Sequence, residues 1–354
     1  MLNQFAMTPA EQTVAKCAGI YAQYGYRRFT MNKFEDYGLY AENKNFLVDG
    51  RLLTFTDGSK LKALKPDITL SIVKSLAASP GLPLKAFYNE TVYRVKKGDK
   101  EFSELHQMGL EFIGDGSIYA TCEVLGLAKT SLDAINMQNV LDISHMGILM
   151  PLIDQACKKG VHREELILMI TQKNADGIAA LLGVRHPLTV LVSSYAPIHD
   201  MIPVLQAMLP DESAVQELAL IASVLNAMGL DSNVYLDFSL MHDFGYYNGI
   251  IFKGYIKDVP VAVLSGGRYD PLLERFGMHT PALGFAIYLD YIQYAEVENN
   301  PDVLLLYTDD DTATDIAFAV KALTEQGFCV LAASTCPKHR TFIRKISVKE
   351  VLAT

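Results

Sequence analysis

The 354-residue sequence predicts an α+β protein built on an antiparallel sheet flanked by helices. Three stretches predict it. Residues 246–256 are aromatic and β-branched, Lys257-Asp258 can turn the chain, and residues 259–264 read as a buried strand, so together they form an antiparallel hairpin. Between residues 160 and 229 a series of short amphipathic helices interrupts a strand-rich chain and reads as an insertion. Residues 302–333 spell one β-α-β unit, with strand 302–307, helix 312–326 and strand 328–333. Strands and helices gathered in separate runs suit an α+β architecture.

The hairpin carries Tyr246 and Tyr247 at one end and Gly266-Gly267-Arg268 at the other. Paired glycines let backbone approach a ligand or another strand, and Arg268 sets a cation beside them.

Thr8-Pro9-Ala10-Glu11 reads as a helix start, with Thr8 as cap, Pro9 in the first turn and Glu11 completing a capping box. That helix runs through Val14, Ala18 and Tyr21 to a stop at Gly25. Residues 26–34 read as extended, and residues 35–50, polar and glycine-punctuated, as loop. Asp57-Gly58 turns one strand into the next, and Lys65-Pro66-Asp67 ends the second. Residues 68–77 have helical spacing in Ile68, Ile72, Val73 and Leu76; Asp67 before them is either a cap or a ligand-holding carboxylate.

Residues 84–95 alternate as a strand, 96–100 form a charged turn and 106–114 return as a strand. Gln107, Gly109 and Glu111 share one face of it. An amide, a bare backbone and a carboxylate suit a polar binding floor better than core, because buried carboxylates need partners. Helix 118–133, strand 140–144 and helix 147–157 follow. The insertion then holds helices 164–172, 175–182, 197–208, with Pro203 inside it, and 214–228, plus a β-like run at 188–193. Strand 234–237 leads into the hairpin. The apolar run after Pro281 reads as a strand end or a helix start, with Gly284 where a Cβ would keep another element away. Asn299-Asn300-Pro301 marks a linker, and Lys338, His339, Arg340, Arg344 and Lys345 a solvated basic end. About 55 residues is small for an independent domain.

Apolar residues are 50% and charged residues 20%, a globular balance. No apolar run approaches the ~18 residues of a membrane helix, and Met1-Leu2-Asn3-Gln4-Phe5 lacks the order of a signal peptide. A formal net charge of −9 argues against nucleic acid as the main partner. Cys17, Cys122, Cys157, Cys329 and Cys336 are scattered and odd in number, which reads as reduced, mostly buried thiols of a cytoplasmic protein. The histidines have no metal-ligand spacing and no phosphate loop is present, so neither a metal nor a cofactor is expected.

The stretch from Tyr93-Arg94 to Glu111, the segment Tyr246-Tyr247-Asn248-Gly249-Ile250-Ile251-Phe252, and Gly266-Gly267-Arg268-Tyr269-Asp270 resemble class II histidyl-tRNA synthetases, over roughly residues 5–295. The resemblance implies a class II aminoacyl-tRNA synthetase-like core at residues 1–298. Within it lies a helical insertion at about 147–230, and a truncated anticodon-binding-like α/β unit follows at 299–354. Three positions depart from the synthetase pattern. His242 replaces an arginine that touches substrate, Tyr291 in Leu289-Asp290-Tyr291 replaces the arginine that grips ATP, and Lys96 replaces a nucleotide-contacting glutamate. A tyrosine cannot stand in for a bidentate guanidinium where phosphate charge develops.

This combination is similar to the synthetase paralogues that serve as regulatory subunits of ATP phosphoribosyltransferase, the first step of histidine biosynthesis. That likeness implies a non-catalytic chain that binds L-histidine for feedback control and activates a short catalytic subunit in a hetero-oligomer. It implies that Asp67 and Thr69 hold the α-amino group, that Gln107 and Glu111 surround the amino acid, and that Tyr246 and Tyr247 flank the imidazole. Arg94 and Arg268 would be relic nucleotide contacts. A homodimer is expected through residues 8–34, which carry Tyr21, Tyr24, Tyr26 and Phe29. A divergent active histidyl-tRNA synthetase is the alternative.

Overall fold

The computed structural model describes residues 7–42, 51–78, 81–95, 101–241, 246–292, 302–338 and 341–353. Helix α1 (Pro9–Gln23) begins at the expected Pro9 and leads to the two-residue strand β1 (Arg27–Arg28). The stretch expected to be loop instead holds most of β2 (Phe34–Asp36) and all of α2 (Tyr37–Glu42). Strand β2 pairs with β4 (Lys60–Leu64) of the expected hairpin β3 (Thr54–Asp57)–β4, so a tertiary partner orders residues whose local composition signals turn. Helix α3 (Thr69–Ala78) and the long hairpin β5 (Leu84–Val95)–β6 (Phe102–Ile113) follow, then α4 (Ile118–Ile135) and β7 (Asn139–His145).

The insertion comprises α5 (Met146–Lys158), α6 (Arg163–Thr171), α7 (Ala175–Leu182), α8 (Pro187–Ser193), strand β8 (Tyr195–Pro197), α9 (Ile198–Met208) and α10 (Ser213–Ala227). The β-like run at 188–193 is therefore helical. Pro187 occupies the first turn and the His186 side chain accepts the Leu188 N–H, and these terminal signals outweigh the β-branched residues inside so short a run. Strands β9 (Val234–Asp237), β10 (Ile250–Ile256) and β11 (Leu264–Arg268), helix α11 (Asp270–Arg275), strand β12 (Ala282–Tyr288) and the short helix α12 (Leu289–Ile292) complete this part of the chain.

Nine strands form one sheet in the order β1-β5-β6-β12-β11-β10-β7-β9-β8. It is antiparallel except for β1 with β5 and β7 with β9. The β10–β11 hairpin forms, but residues 259–263 belong to its connection and not to the strand. Gly267 faces Ile251 and Gly254 faces Leu264. Gly266-Gly267-Arg268 therefore lies at the same end as Tyr246 and Tyr247, not at the opposite one. Helix α4 packs on the face shared by Gly254, against which Leu132 rests, while α3 and α11 lie with the second apolar cluster on the other side.

Tyr21 and Tyr26, expected at a dimer surface, are 0% and 3% exposed and belong to the apolar core of a single chain. Tyr24 is 40% exposed. All five cysteines are free; Cys17 and Cys122 are buried, Cys157 and Cys329 half-buried and Cys336 exposed. No described helix is long and apolar enough to cross a membrane.

The chain divides into two compact units, Pro9–Ala295 and a smaller one of Met1–Thr8 with Glu296–Thr354. The smaller unit contains β13 (Val303–Leu306), α13 (Ala313–Glu325) and β14 (Val330–Ala333), as expected, and also β15 (Arg344–Ser347) and α14 (Val348–Leu352). Its sheet is parallel, in the order β14-β13-β15. Arg344 and Lys345 are exposed but sit in a paired strand rather than in a loose basic end. The charged turn at 96–100, His242, the linker at Asn299-Asn300-Pro301, and His339 and Arg340 lie outside the described residues.

Candidate functional site

Strand alternation puts Gln107, Gly109 and Glu111 of β6 on one face, and the β6–β12 register sets Glu111 opposite Gly284 and Gly109 opposite Ala286. Across the next pairing Gly284 faces Gly267. A row of two glycines thus continues sideways from Glu111. A Cβ at Gly284 would overlap the Glu111 carboxylate, and one at Gly267 would meet the Tyr247 ring at 2.7 Å. The bare backbone makes a trough into which a carboxylate and an aromatic ring descend. Above it opens a cavity of about 420 Å³, within the range of small-molecule sites.

Asp67, Thr69, Gln107, Glu111, Tyr246 and Tyr247 all line this cavity, and so does Arg94. Glu111 is 2% exposed. Thr69 Oγ1 donates to its Oε1 at 2.9 Å and Tyr269 Oη to its Oε2 at 2.6 Å. Burial raises the Glu111 pKa to about 8, against the pull of these two donors, with the nearby Asp67 charge adding to the rise. Burial likewise pushes the hydroxyls of Tyr88, Tyr246 and Tyr269 far up, so they act as neutral donors. Tyr246 meets Tyr247 edge-on at 4.7 Å and lies 5.8 Å from Tyr269, which gives one wall three aromatic rings.

Asp67 caps its helix and also lines the cavity. Its Oδ1 accepts the Leu70 N–H at 2.9 Å as the cap of α3, and its Oδ2 takes Arg94 at 3.1 Å. Arg94 also donates to the Pro66 carbonyl, so this guanidinium holds the loop that carries Asp67. Arg268 does not line the cavity. Alternation along β11 turns it away from the face of Gly267, and its Nε binds Asp270 Oδ2 at 2.9 Å.

The opposite half of the cavity is formed by Lys253, Ser265, Tyr288, Asp290 and Tyr291. Tyr291 occupies the place where the synthetase pattern has an arginine. Beside it Asp290 accepts the His106 backbone N–H at 2.9 Å and faces His106 Nδ1 at 3.0 Å. These residues present a carboxylate, phenol groups and one ammonium, that of Lys253. Sequence reasoning passed over Tyr88, Tyr269 and Asp290 as parts of the site, and over Lys65, which is 0% exposed and paired with Glu90 at 2.8 Å behind the loop of Asp67. Alternation along β5 signals only that Tyr88 and Glu90 share a face; Lys65 gives no local signal. Among the described residues no group of His, Cys, Asp and Glu is placed to hold a metal ion.

A mainly antiparallel sheet with helices packed on it, an insertion after β7 and a polar cavity on the sheet face define a class II synthetase-type protein. The histidyl-tRNA synthetase family model matches residues 4–292, and the chain belongs to that family. It is 28% identical over 334 residues to the ATP phosphoribosyltransferase regulatory subunit of Alkaliphilus metalliredigens, covering 88% of this chain and 84% of that one. The fold is similar to that of an ATP phosphoribosyltransferase regulatory subunit/histidyl-tRNA synthetase from Bacillus halodurans, with TM-score 0.73, 23% identity and coverage of 96% and 93%. It is also similar to a chain of the ATP phosphoribosyl transferase (HisG:HisZ) complex from Thermotoga maritima, with TM-score 0.63, 19% identity and coverage of 79% and 97%.

Proposed function

We propose that this chain is a non-catalytic regulatory subunit of an ATP phosphoribosyltransferase, that it binds L-histidine in the cavity of Glu111, and that it acts on a separate short catalytic subunit. The observation that carries the reading is the asymmetry of the cavity. Around Glu111 the cavity keeps carboxylates, hydroxyls and aromatic rings suited to an amino acid, while the end of Gln107 and Tyr288 offers Asp290 and Tyr291, with Lys253 also in the lining, where the synthetase pattern has an arginine for the nucleotide. A binding site without the groups for adenylate chemistry suits a sensor. The relatives named as regulatory subunits, and the likeness to a chain of a phosphoribosyl transferase complex, support a partner protein as the output.

In this reading Asp67 and Thr69 receive the α-ammonium, Glu111 accepts the imidazole N–H, Gln107 bonds the polar edge of the amino acid, and Tyr246 and Tyr247 flank the ring. Thr69 and Tyr269 orient the Glu111 carboxylate for that acceptance. Glu111→Ala would leave an imidazole donor unpaired, a loss of ~1–3 kcal/mol, or roughly ten- to a hundred-fold in affinity. Calorimetric titration of L-histidine tests this, and unchanged affinity in the variant sinks the site.

The function itself is tested by mixing the chain with a short catalytic subunit and following phosphoribosyl transfer with and without histidine. Substrates that favour the active complex must weaken histidine binding by the same factor that histidine weakens the complex. Failure to co-elute, with a rate indifferent to histidine, rejects the regulatory reading. The family match favours a second reading, a divergent histidyl-tRNA synthetase. Histidine-dependent ATP–pyrophosphate exchange above background would establish it in place of the first.

A further inference from the structure

An amino acid brings a carboxylate as well as an ammonium and a side chain, and the first cavity has to place it. Asp67, Glu111 and Asp290 already line that cavity, so a further carboxylate is repelled there unless it meets a cation. Three residues of the described lining can carry positive charge: Arg94, His106 and Lys253. Arg94 is turned to its own loop, with Nε on the Pro66 carbonyl and Nη2 on Asp67 Oδ2 at 3.1 Å. His106 faces Asp290 Oδ1 at 3.0 Å. Lys253 stands on β10 opposite Asp142 of β7, and it lines both the first cavity and a second one that contains Asp142. An ammonium carries three N–H groups, so it can serve Asp142 and a ligand carboxylate together.

Strand register sets how far Lys253 is from the imidazole end of the site. Residues paired across a sheet share a face. Lys253, Ser265, Ala286 and Gly109 therefore make one row, and Ile251, Gly267, Gly284 and Glu111 the next. The second row is the trough that takes the Glu111 carboxylate and the Tyr247 ring. The first is a floor of a hydroxymethyl, a methyl and a bare backbone, with the lysine at its end. The Glu111 carboxylate lies over Gly284 of β12, two strands from β10. At ~4.8 Å per strand and ~3.4 Å per residue, the Lys253 backbone is about 12 Å from it. A lysine stem and a histidine molecule laid end to end fill that gap, imidazole at Glu111 and carboxylate at the ammonium.

We propose that Lys253 receives the α-carboxylate of the bound amino acid and makes the cavity select an amino acid over the amine that lacks its carboxylate. This rests on the histidine reading of the cavity and adds the residue that recognises the acid end. A charge-assisted hydrogen bond to a carboxylate is among the stronger contacts a ligand can make, and it is made only by a ligand that carries the group.

The probes are L-histidine and histamine, the same molecule without the carboxylate, titrated calorimetrically into the full chain near pH 7. Lys253→Met should bind histidine about tenfold or more weakly than the parent, the scale of one charge-assisted hydrogen bond. It should bind histamine as well as the parent does or better, because a like charge has gone. If circular dichroism shows that Lys253→Met does not fold, Lys253→Gln, neutral and able to bond Asp142, replaces it with the same expectation. Glu111→Ala should weaken both ligands, which separates the imidazole end from the acid end. An equal loss for the two ligands on changing Lys253, or unchanged affinity for histidine, overturns the assignment of Lys253 and leaves the histidine site standing. A parent that binds no histidine, or a Glu111→Ala variant that binds it unchanged, removes the site and this assignment with it.

Discussion

Replacing Glu111 by Gln removes from the first cavity a buried carboxyl whose titration opposes folding over the neutral range. The Glu111 pKa is raised to about 8 from an ordinary 4.5, chiefly by burial. Between those values the folded chain holds a proton that the unfolded chain has lost. Stability from this group is thus highest below pH ~4.5, falls as pH rises through the window, and is level above about 8. At ~1.36 kcal/mol per pH unit the ceiling of the effect is ~5 kcal/mol. The cavity brings solvent close to the carboxyl, so about half of that ceiling, ~2–3 kcal/mol, is expected in practice. Glu111→Gln keeps an acceptor for Thr69 Oγ1 but turns an amide N–H toward Tyr269 Oη, which costs about 1 kcal/mol at every pH. The variant should therefore be less stable than the parent by about 1 kcal/mol near pH 5 and more stable by about 1–2 kcal/mol near pH 9. Urea unfolding of both proteins across that range measures the difference. If the gap between them does not change with pH, Glu111 does not ionise as the geometry requires.

Binding of L-histidine near pH 7 should release protons, because an imidazole N–H and an ammonium favour the charged form of Glu111; titration calorimetry in buffers of different ionisation heat reads this, and no buffer dependence counts against Glu111 as the contact. Gly284→Ala should lower stability by ~3 kcal/mol or more, since its methyl must displace the Glu111 carboxylate or the Leu110 carbonyl; a melting temperature within a degree or so of the parent would show that the trough can yield. Lys65→Ala should destabilise by ~3–5 kcal/mol, because Glu90 loses a partner that is itself fully buried. The double variant Lys65→Met/Glu90→Leu should recover much of that loss in urea melts.

Local sequence determined a good deal of this protein. Residues 84–95 alternate, and the strand β5 (Leu84–Val95) has those bounds. Asp57-Gly58 turned a hairpin, the helical spacing after Asp67 became α3 with Asp67 as its cap, and alternation placed Gln107, Gly109 and Glu111 on one face. Each of these depends on a period or a turn signal spanning a few residues, which the chain carries whatever it packs against.

What depended on register was not legible. Glu111 and Gly284 are 173 positions apart in the sequence, and only the β6–β12 pairing brings the carboxylate over that bare backbone. The same pairing network moved Gly266-Gly267-Arg268 to the tyrosine end of the hairpin and turned Arg268 away from the cavity. Tyr21 and Tyr26 were assigned to a surface because aromatic residues on an amphipathic segment look the same whether a second copy or the chain's own sheet covers them. Here it is the chain's own core, through Phe87, Phe112 and Phe285. Hydrophobic periodicity states which face of an element avoids water. Which residues meet across that face is settled by strand order and register, which minimise unpaired backbone and voids over the whole unit, and so it belongs to the tertiary structure.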